Sequence, residues 1–284
     1  MKILNGQKIA SRITGELKKK LKNKKIKPKL AVILVGNNQS SKLYVELKEK
    51  KAREIGLDFT KYFFPASTTE KEILALIKQL NRDNLVSGIL VQLPLPAFLD
   101  AEKIIGAIKP QKDVDGFGPH NRKSILESKK PFLSPVLPQA LLEILQAAKV
   151  SLKNQRVAAV VNSEIFGQVL KKFFAAQGAR CEFLVKKVCL DKGLENFLGQ
   201  ADIAISVTGC PRLINGYMLK KGAVLIDAGI FQEGRKIVGD VDLNSVGDKV
   251  AAVTPTPGGV GPVTVAVLLR NVFLAAKKSI TKIK

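Results

Sequence analysis

The pair of residues with the clearest capacity for proton chemistry is Tyr44 and Lys48, which lie four positions apart in a segment with helical spacing. Residues four apart on a helix share one face. A neighbouring cation favours the phenolate form of a tyrosine and burial favours the neutral form of a lysine, so such a pair could transfer protons near neutral pH. The spacing alone, however, is more typical of a surface lysine beside a core tyrosine.

Two further polar groups stand where the pattern predicts the end of an element. Gln92 closes a buried apolar run, and open α/β sheets bind ligands at the carboxyl ends of their strands, so Gln92 is either a ligand-binding residue or a backbone clamp. Asp113 and Asp115 precede Gly116 without the further oxygen ligands and distal Glu of a calcium loop, so no metal site is predicted. These carboxylates indicate an Asx-type turn, or one of them binds the N–H groups of a heterocycle.

The strongest local signal is the segment 254–262, which contains three Pro and three Gly. This composition requires an unusual backbone path with exposed amides directly before a predicted helix. Such a loop suits the close approach of a flat or anionic ligand. A purely structural crossover is the alternative.

A nucleotide site is indicated less clearly. The predicted strand 156–161 is followed by a turn, 162–167, with the single glycine Gly167, whereas a dinucleotide fingerprint contains several. The next strand is followed by Lys186 and Lys187, with no acidic residue for a ribose hydroxyl, which favours NADP over NAD if either binds. The two lysines could equally be a solvated strand end.

Hydrophobic periodicity predicts the elements that must position these residues. Helices are predicted over 7–25, 40–54, 69–80, 138–149, 166–177, 192–198, 215–220 and 263–278, and strands over 30–35, 57–63, 88–93, 156–161, 181–185, 202–207 and 223–227. Because the strands are short and apolar throughout, we expect doubly wound parallel sheets of the α/β class.

A Pro- and Gly-rich stretch at 109–138 predicts the connection between two α/β domains. The first domain is expected over 1–137, completed by the last helix at 263–284. The second, over 138–262, is expected to be a doubly wound parallel α/β domain.

The composition narrows the class of protein. With 284 residues, 46% hydrophobic and 25% charged, the chain is globular and long enough for about two domains. No apolar run approaches the ~18 residues of a membrane span, and the polar pattern after Gly6 argues against a signal peptide. The three Cys have no metal-type spacing and are typical of thiols in a reducing compartment, so a cytoplasmic protein is expected.

The formal net charge of +23 raises nucleic acid, an anionic membrane or small anions as partners. Only nine of the 47 cations are Arg, the residue suited to bidentate phosphate recognition, and aromatic residues make up only 6%. Many lysines lie in runs typical of solvated helix faces. The composition therefore argues against nucleic acid as the partner.

Four motifs, in order along nearly the whole chain, resemble the bifunctional methylenetetrahydrofolate dehydrogenase/methenyltetrahydrofolate cyclohydrolase family of FolD type. They are Ser41-x-x-Tyr44-x-x-x-Lys48, the run from Gly88 to Pro96, Lys112-Asp113-Val114-Asp115-Gly116-Phe117 and Pro257-Gly258-Gly259-Val260-Gly261-Pro262. The resemblance implies a homodimer whose N-terminal domain and last helix bind folate and whose second domain, 138–262, is a Rossmann-type NAD(P)-binding domain. The implied reactions are NADP-dependent oxidation of 5,10-methylenetetrahydrofolate to the 5,10-methenyl form, and hydrolysis of that product to 10-formyltetrahydrofolate.

The resemblance also implies roles for individual residues. Lys48 is the central catalytic residue, Tyr44 orients or stacks on the folate, Gln92 positions Lys48, and Asp115 binds the pterin. The other implied substrate-binding residues are Ser41, Val91, Leu93, Pro94, Pro257, Gly258, Gly259, Gly261 and Pro262. The implied NADP-binding residues are Asn162, Ser163, Ile165, Gly167, Lys186, Lys187, Thr208, Gly209 and Ile230.

The cofactor side departs from the family pattern. The family's turn reads Val-Val-Gly-Arg-Ser-x-Ile-Val-Gly, whereas residues 160–167 are one residue shorter, lack the Gly-Arg pair and add Glu164. A lost charge-assisted hydrogen bond costs ~1.5–3 kcal/mol, so cofactor binding is expected to be weakened. The sequence therefore favours hydrolysis over full dehydrogenase activity. A cyclohydrolase-only enzyme, or a folate-binding paralogue with a weak or absent NADP site, is the alternative hypothesis.

Overall fold

The computed structural model describes residues 1–22, 27–186, 193–234 and 236–281. Lys187, one of the expected cofactor-binding residues, lies outside these ranges.

The chain divides into two compact units, each built around its own parallel sheet. The three-stranded unit comprises Ala10–Ser124, Lys129–Gln139 and Val265–Lys284, and the six-stranded unit comprises Met1–Ile9, Ile125–Ser128 and Ala140–Thr264. This organisation confirms the predicted fold class of two α/β domains with the last helix returning to the first. The functional division between residues 137 and 138 stays a prediction.

Strands and helices alternate along most of the chain. The strands are β1 (Lys2–Ile3), β2 (Lys29–Val35), β3 (Asp58–Phe64), β4 (Gly88–Val91), β5 (Arg156–Val161), β6 (Arg180–Val185), β7 (Ile203–Val207), β8 (Val224–Asp227), β9 (Phe231–Glu233), β10 (Lys236–Val238) and β11 (Ala252–Val253). The α-helices are α1 (Gly6–Lys22), α2 (Gln39–Ile55), α3 (Glu70–Arg82), α4 (Ala101–Gly106), α5 (Pro119–Leu126), α6 (Val136–Ala147), α7 (Glu164–Ala175), α8 (Leu194–Gly199), α9 (Leu243–Val246) and α10 (Val260–Thr281).

The sheet of the three-stranded unit has the order β3-β2-β4, with β2 in the centre. All pairs are parallel, and the side chains of Leu30 and Ile33 in β2 are fully buried, as expected for a central parallel strand. The chain leaves β2 towards β3 and returns to pair β4 on the other side. The carboxyl ends of β2 and β4 therefore flank a topological switch point, where open sheets bind ligands.

Helix α2 carries candidate residues at this edge of the sheet. Its N-cap is Asn38, whose side chain accepts a hydrogen bond from the Ser41 amide at 2.9 Å. The helix ends at Gly56, whose φ of 82° lies in the left-handed region that glycine adopts without strain. Both ends of the helix are thus fixed by local sequence.

The sheet of the six-stranded unit has the order β1-β11-β8-β7-β5-β6, and every pair in it is parallel. The chain passes from β5 to β6 on one side and then to β7 on the other side of β5. The carboxyl ends of β5 and β7 therefore flank a second switch point. This is the order of a Rossmann-type half, in which a dinucleotide binds at that position.

Several short elements were not predicted from the sequence. The two-residue strands β1 and β11 pair with each other, and β9 and β10 form an antiparallel hairpin. The predicted helix 215–220 is only a 3-10 turn at Gly216–Met218. Two or three residues carry too little periodicity to reveal such elements, which depend on their partners in the sheet.

The last helix corrects the expectation that no apolar segment reaches the length of a membrane span. Residues Val260–Ser279 are long and apolar enough to cross a membrane by length and composition, but 67% of the most apolar window is buried inside the protein. The part from Val265 onward belongs to the three-stranded unit. Burial in a protein core accounts for its apolar composition.

Candidate active site

Lys48 and Gln92 meet at the carboxyl edge of the three-stranded sheet. Lys48 projects from α2, and its Nζ donates a hydrogen bond of 2.5 Å to Oε1 of Gln92, the first residue after β4. Gln92 Nε2 donates to the carbonyl oxygen of Leu93 at 2.7 Å. This second bond orients the amide so that its oxygen faces the lysine. The helix and the strand end predicted from sequence thus position one side-chain pair.

Burial tunes the titration of the two residues on α2. Burial lowers the pKa of Lys48 to about 8, and the negative charge of Asp115 opposes this shift. Burial raises the pKa of Tyr44, so its phenol is neutral near pH 7. At Tyr44 desolvation therefore outweighs the effect of the neighbouring cation. The lysine is the group of this pair suited to exchanging a proton near neutral pH.

The two carboxylates of the turn before α5 differ in their surroundings. Asp113 is buried and accepts hydrogen bonds from the amides of Gly116 at 3.1 Å and Gly118 at 2.8 Å, and from Asn121 Nδ2 at 2.8 Å. Asp115 is exposed to solvent. Asp113 is therefore the Asx-turn residue, whereas the side chain of Asp115 is exposed.

The pKa of Asp115 is raised to about 6. The main cause is the crowding of protein atoms around the carboxyl, which weakens solvation of its charged form; Asp113 raises the pKa further and Lys48 lowers it. Asp115 and Lys48 thus influence each other's charge. At pH 7 this places a carboxylate and a partly neutral amine in one site.

Two asparagines that the sequence analysis missed hold this turn in place. Asn271 on α10 donates from Nδ2 to the carbonyl oxygens of Val114 and Ser134, both at 2.9 Å. Asn121 accepts from the Phe132 amide at 3.0 Å in addition to its bond with Asp113. A buried Asn in the apolar sequence of α10 was the available signal, because a buried amide requires hydrogen-bond partners.

The remaining residues expected on this side have different surroundings. Ser41 is buried and its hydroxyl donates to the Leu93 carbonyl oxygen at 3.4 Å. Leu93 and Pro94 are exposed at the strand end. The side chain of Val91 packs in the hydrophobic core of the three-stranded unit, so it is not available to a ligand.

The Gly/Pro loop 254–262 lies in the six-stranded unit up to the start of α10. Gly258 has a φ of 100° and its carbonyl oxygen accepts from the Gly6 amide at 2.9 Å. A Cβ on Gly259 would lie 2.5 Å from the Pro255 carbonyl oxygen, and a Cβ on Gly6 would lie 1.6 Å from that of Gly259. Glycine is thus required for this path. Pro257 is exposed, whereas Gly261 and Pro262 begin α10 and are half-buried.

The turn between β5 and α7 begins the nucleotide side. Ser163 caps α7 by accepting from the Phe166 amide at 3.3 Å, so the helix starts at Glu164 rather than at the predicted residue 166. Asn162, Ser163 and Ile165 are exposed. A Cβ on Gly167 would lie 2.2 Å from the ring of Phe183, so this glycine permits close packing of the helix on β6.

The other expected cofactor residues lie at neighbouring strand ends. Lys186 is half-buried after β6. Thr208 and Gly209 follow β7: the Thr208 hydroxyl accepts from the Cys210 amide at 3.1 Å, and Gly209 has a φ of 67°. Ile230 follows β8 and is 41% exposed. All of them except Lys187, which is not described, therefore lie at the carboxyl edge of one sheet or in the first turns of the helix that follows β5.

Two parallel α/β units, one with a lysine of lowered pKa at a sheet edge and one of Rossmann type, define a two-domain α/β enzyme with a nucleotide-binding domain. Two family models match the chain: tetrahydrofolate dehydrogenase/cyclohydrolase, catalytic domain, over residues 4–115, and the NAD(P)-binding domain of the same family over residues 135–280. The chain belongs to the tetrahydrofolate dehydrogenase/cyclohydrolase family.

Individual relatives agree with this assignment. The bifunctional protein FolD of Geotalea uraniireducens is 40% identical over 281 residues, covering 98% of this chain and 99% of the relative. The crystal structure of the bifunctional FolD dehydrogenase/cyclohydrolase from Campylobacter jejuni is 38% identical with a TM-score of 0.92, covering 98% and 99%. The Trypanosoma brucei enzyme, complexed with NADP cofactor and inhibitor, is 30% identical with a TM-score of 0.91, covering 98% of each chain.

Proposed function

We propose that this chain oxidises 5,10-methylenetetrahydrofolate to 5,10-methenyltetrahydrofolate with NADP and hydrolyses the product to 10-formyltetrahydrofolate. The observation that carries the proposal is the Lys48–Gln92 pair beside Asp115 in a chain of this family. The family relatives are named as bifunctional proteins, and the NAD(P)-binding model matches residues 135–280. The cyclohydrolase-only and folate-binding alternatives are therefore not favoured, despite the shortened turn.

Lys48 is the proposed proton acceptor in hydrolysis. With a pKa of about 8, a useful fraction of its amine is neutral at pH 7 to 8. The neutral amine removes a proton from the water that attacks the methenyl carbon, so a C–O bond forms as an O–H bond breaks and the C=N π electrons move to nitrogen. Cleavage of the bond between this carbon and N5, with the proton returned to N5, leaves the formyl group on N10. The bond to Gln92 Oε1 fixes the direction of Nζ without supplying a negative charge that would raise the pKa.

Tyr44 and Asp115 are the proposed substrate-orienting residues. A neutral phenol half-buried on the same helix face as Lys48 can stack against a flat ring. The exposed carboxyl of Asp115 can accept hydrogen bonds from the N–H groups of a pterin. Ser41, Leu93 and Pro94 complete the proposed substrate-binding residues of the three-stranded unit. The loop 257–262 is proposed as a substrate-binding loop of the six-stranded unit. Val91 can contribute only through its backbone.

The six-stranded unit has residues that fit a dinucleotide. The exposed turn of Asn162 and Ser163 precedes the N-terminus of α7, which favours phosphate groups, and Gly167 allows the helix to approach the sheet closely. We propose that Lys186, Thr208, Gly209 and Ile230 complete the NADP site. Bound NADP supplies a nicotinamide ring that accepts a hydride.

The proposal is tested by incubating the purified chain with 5,10-methylenetetrahydrofolate and NADP. Absorbance changes for NADPH formation and for loss of added 5,10-methenyltetrahydrofolate should both depend on the protein. Hydrolysis without NADPH formation would support the cyclohydrolase-only alternative. The absence of both hydrolysis and NADPH formation would reject the proposal.

We also infer a cytoplasmic homodimer. The exposed apolar side chains of Phe231 and Ile237 on the β9–β10 hairpin, both 41% exposed, support a protein contact because exposed apolar surface is costly in water. The burial of most of the apolar window of α10 supports a protein free of the membrane. Light scattering coupled to size exclusion would give the mass of a dimer, and a monomer mass would contradict the inference.

A further inference from the structure

Two carboxylates are buried next to each other beneath the carboxyl edge of the six-stranded sheet. Asp227 ends β8, and Asp240 lies just before Val241, which bridges to Ile214. Asp227 is 1% exposed and Asp240 is fully buried. A Cβ on Gly229 would lie 2.0 Å from Asp240 Oδ1, and one on Gly239 would lie 1.8 Å from Asp227 Oδ2. Positions 229 and 239 therefore require glycine, because any larger residue would collide with these carboxyl groups.

The Asp227 carboxylate is bound by three backbone amides, and the Asp240 carboxylate by one hydroxyl and one backbone amide. Asp227 Oδ1 accepts from the Gly229 amide at 3.0 Å and the Asp240 amide at 3.1 Å, and its Oδ2 accepts from the Val241 amide at 3.2 Å. Asp240 Oδ2 accepts from Ser206 Oγ at 2.6 Å and from the Thr208 amide at 2.7 Å. Among the described residues, Asp240 Oδ1 has no hydrogen-bond partner.

Burying these two carboxylates lowers the free energy of unfolding, so stability of the fold does not explain their presence. Burial of a carboxylate costs free energy that hydrogen bonds offset only in part, and an unpartnered buried oxygen adds to the cost. An apolar residue would be a cheaper way to fill the space. What the Asp240 carboxylate provides is a fixed position for two donors at the end of β7, which flanks the switch point.

We propose that Asp240 is a positioning residue for the cofactor, which fixes the Thr208–Gly209 turn through Ser206 Oγ and the Thr208 amide. This inference rests on the proposed function, in which Thr208 and Gly209 contact NADP. Asp240 touches neither reactant and acts only through the turn. The side chain of Asp227 extends the same network to Gly229, one residue before Ile230.

The main chain of Asp227 is also hydrogen-bonded to the Gly/Pro loop, which is separate from the Thr208–Gly209 turn. The Asp227 amide donates to Thr254 Oγ1 at 2.7 Å, and that hydroxyl donates back to the Asp227 carbonyl oxygen at 3.3 Å. Substitutions at Asp227 or Thr254 would therefore disturb the proposed substrate loop as well. Asp240 and Ser206 are better positions for a test. The Asp240 carboxylate accepts hydrogen bonds from Ser206 Oγ and the Thr208 amide, and both of these lie on the proposed cofactor side.

The test compares Ser206→Ala, Asp240→Ala and Asp240→Asn in the full chain. Calorimetry measures the Kd for NADP, and hydrolysis of 5,10-methenyltetrahydrofolate is assayed in parallel. Ser206→Ala should raise the Kd about tenfold, as expected for one hydrogen bond to a charged group, and Asp240→Ala should raise it further. Asp240→Asn should lie between the wild type and Asp240→Ala, because its amide oxygen can still accept from Ser206 and Thr208.

Ser245→Ala is the matched control. Ser245 Oγ also binds backbone in the six-stranded unit, accepting from the Gly216 amide at 3.1 Å, but it lies away from the Thr208 turn in the hydrogen-bond network. Its Kd for NADP should equal that of the wild type. Hydrolysis should keep its kcat and KM in all variants. Hydrogen exchange of peptides covering Thr208 should be faster in Ser206→Ala and Asp240→Ala without any cofactor.

Unchanged exchange at Thr208 together with an unchanged Kd in Ser206→Ala would overturn the inference, even if Asp240→Ala failed to fold. A parallel fall of hydrolysis and NADP binding would also overturn it, since that would show a general effect on the fold. A wild-type chain that binds no NADP would instead contradict the proposed function. The exchange measurement needs no cofactor, so the two failures are distinguishable.

Discussion

Replacing Asp115 by Asn should shift the pH profile of hydrolysis to lower pH. The proposed base, Lys48, is active when neutral, so kcat/KM should rise with pH through its pKa of about 8 and level off above it. The fall from the ordinary value of 10.5 corresponds to about 3 kcal/mol against the charged amine at roughly 1.4 kcal/mol per pH unit. Burial causes the fall, and Asp115 opposes it.

The charge of Asp115 opposes that fall in the pKa of Lys48, and the substitution removes this charge. A nearby opposite charge shifts a pKa by roughly 1 unit or more, so the midpoint in Asp115→Asn should move about one pH unit below that of the wild type. The measurement is kcat/KM for 5,10-methenyltetrahydrofolate between pH 5 and pH 9, with hydrolysis in the absence of protein subtracted. A lower plateau is expected as well, because Asp115 is proposed to orient the substrate.

Glu46→Gln is the control for this experiment. Glu46 is exposed on the same helix, two residues from Lys48, and is not among the groups that shift the pKa of Lys48. Glu46→Gln also removes one negative charge, and it should leave the midpoint of the pH dependence of kcat/KM unchanged. An unshifted midpoint in Asp115→Asn, or an equal shift in both variants, would refute the assignment of the profile to Lys48 beside Asp115.

Three further predictions concern packing and charge. Gly167→Ala should lower stability by about 1–3 kcal/mol in chemical denaturation, since its Cβ would lie 2.2 Å from Phe183; an unchanged midpoint would contradict the close packing. Asn271→Ala should cost about 1–3 kcal/mol, because the carbonyl oxygens of Val114 and Ser134 lose their donor; a neutral effect in thermal unfolding would argue against this role. Burial raises the pKa of Asp227 from 3.8 to about 6, so this carboxyl binds its proton more tightly in the folded than in the unfolded state. The contribution of Asp227 to the free energy of unfolding should therefore fall by about 3 kcal/mol as the pH rises from 4 to 6. Asp227→Asn should flatten that dependence in denaturation curves, and a slope equal to that of the wild type would exclude Asp227 as its source.

The long elements of the fold could be predicted because their signal is local. β2 is a continuous apolar run ended by Gly36, and β5 was predicted with its observed bounds, Arg156–Val161. Short elements lack such a signal. Lys2 and Ile3 form a strand only because Ala252 and Val253 lie beside them, across almost the whole chain.

The residues of the candidate site also divide into those with a local sequence signal and those without one. Helical spacing and a strand end were sufficient to single out Lys48 and Gln92, which the structure joins directly. The supporting residues depend on contacts between distant segments: Asn271 binds a carbonyl 157 residues away, and Asp240 binds Ser206 34 residues away. No spacing rule reveals such partners in one sequence. The shift in the pKa of Tyr44 could not be predicted for a similar reason, because burial is a property of the packed unit.

The central claim is that one chain carries both activities, with Lys48 as the proton acceptor in hydrolysis. It is tested most directly by comparing both activities in the wild type and in the single variant Lys48→Met. We expect the wild type to form NADPH from 5,10-methylenetetrahydrofolate and to hydrolyse 5,10-methenyltetrahydrofolate. Lys48→Met should lose hydrolysis by at least about a hundredfold, the typical contribution of general base catalysis, while its Kd for NADP stays unchanged. Hydrolysis at the rate of the wild type in this variant would contradict the account.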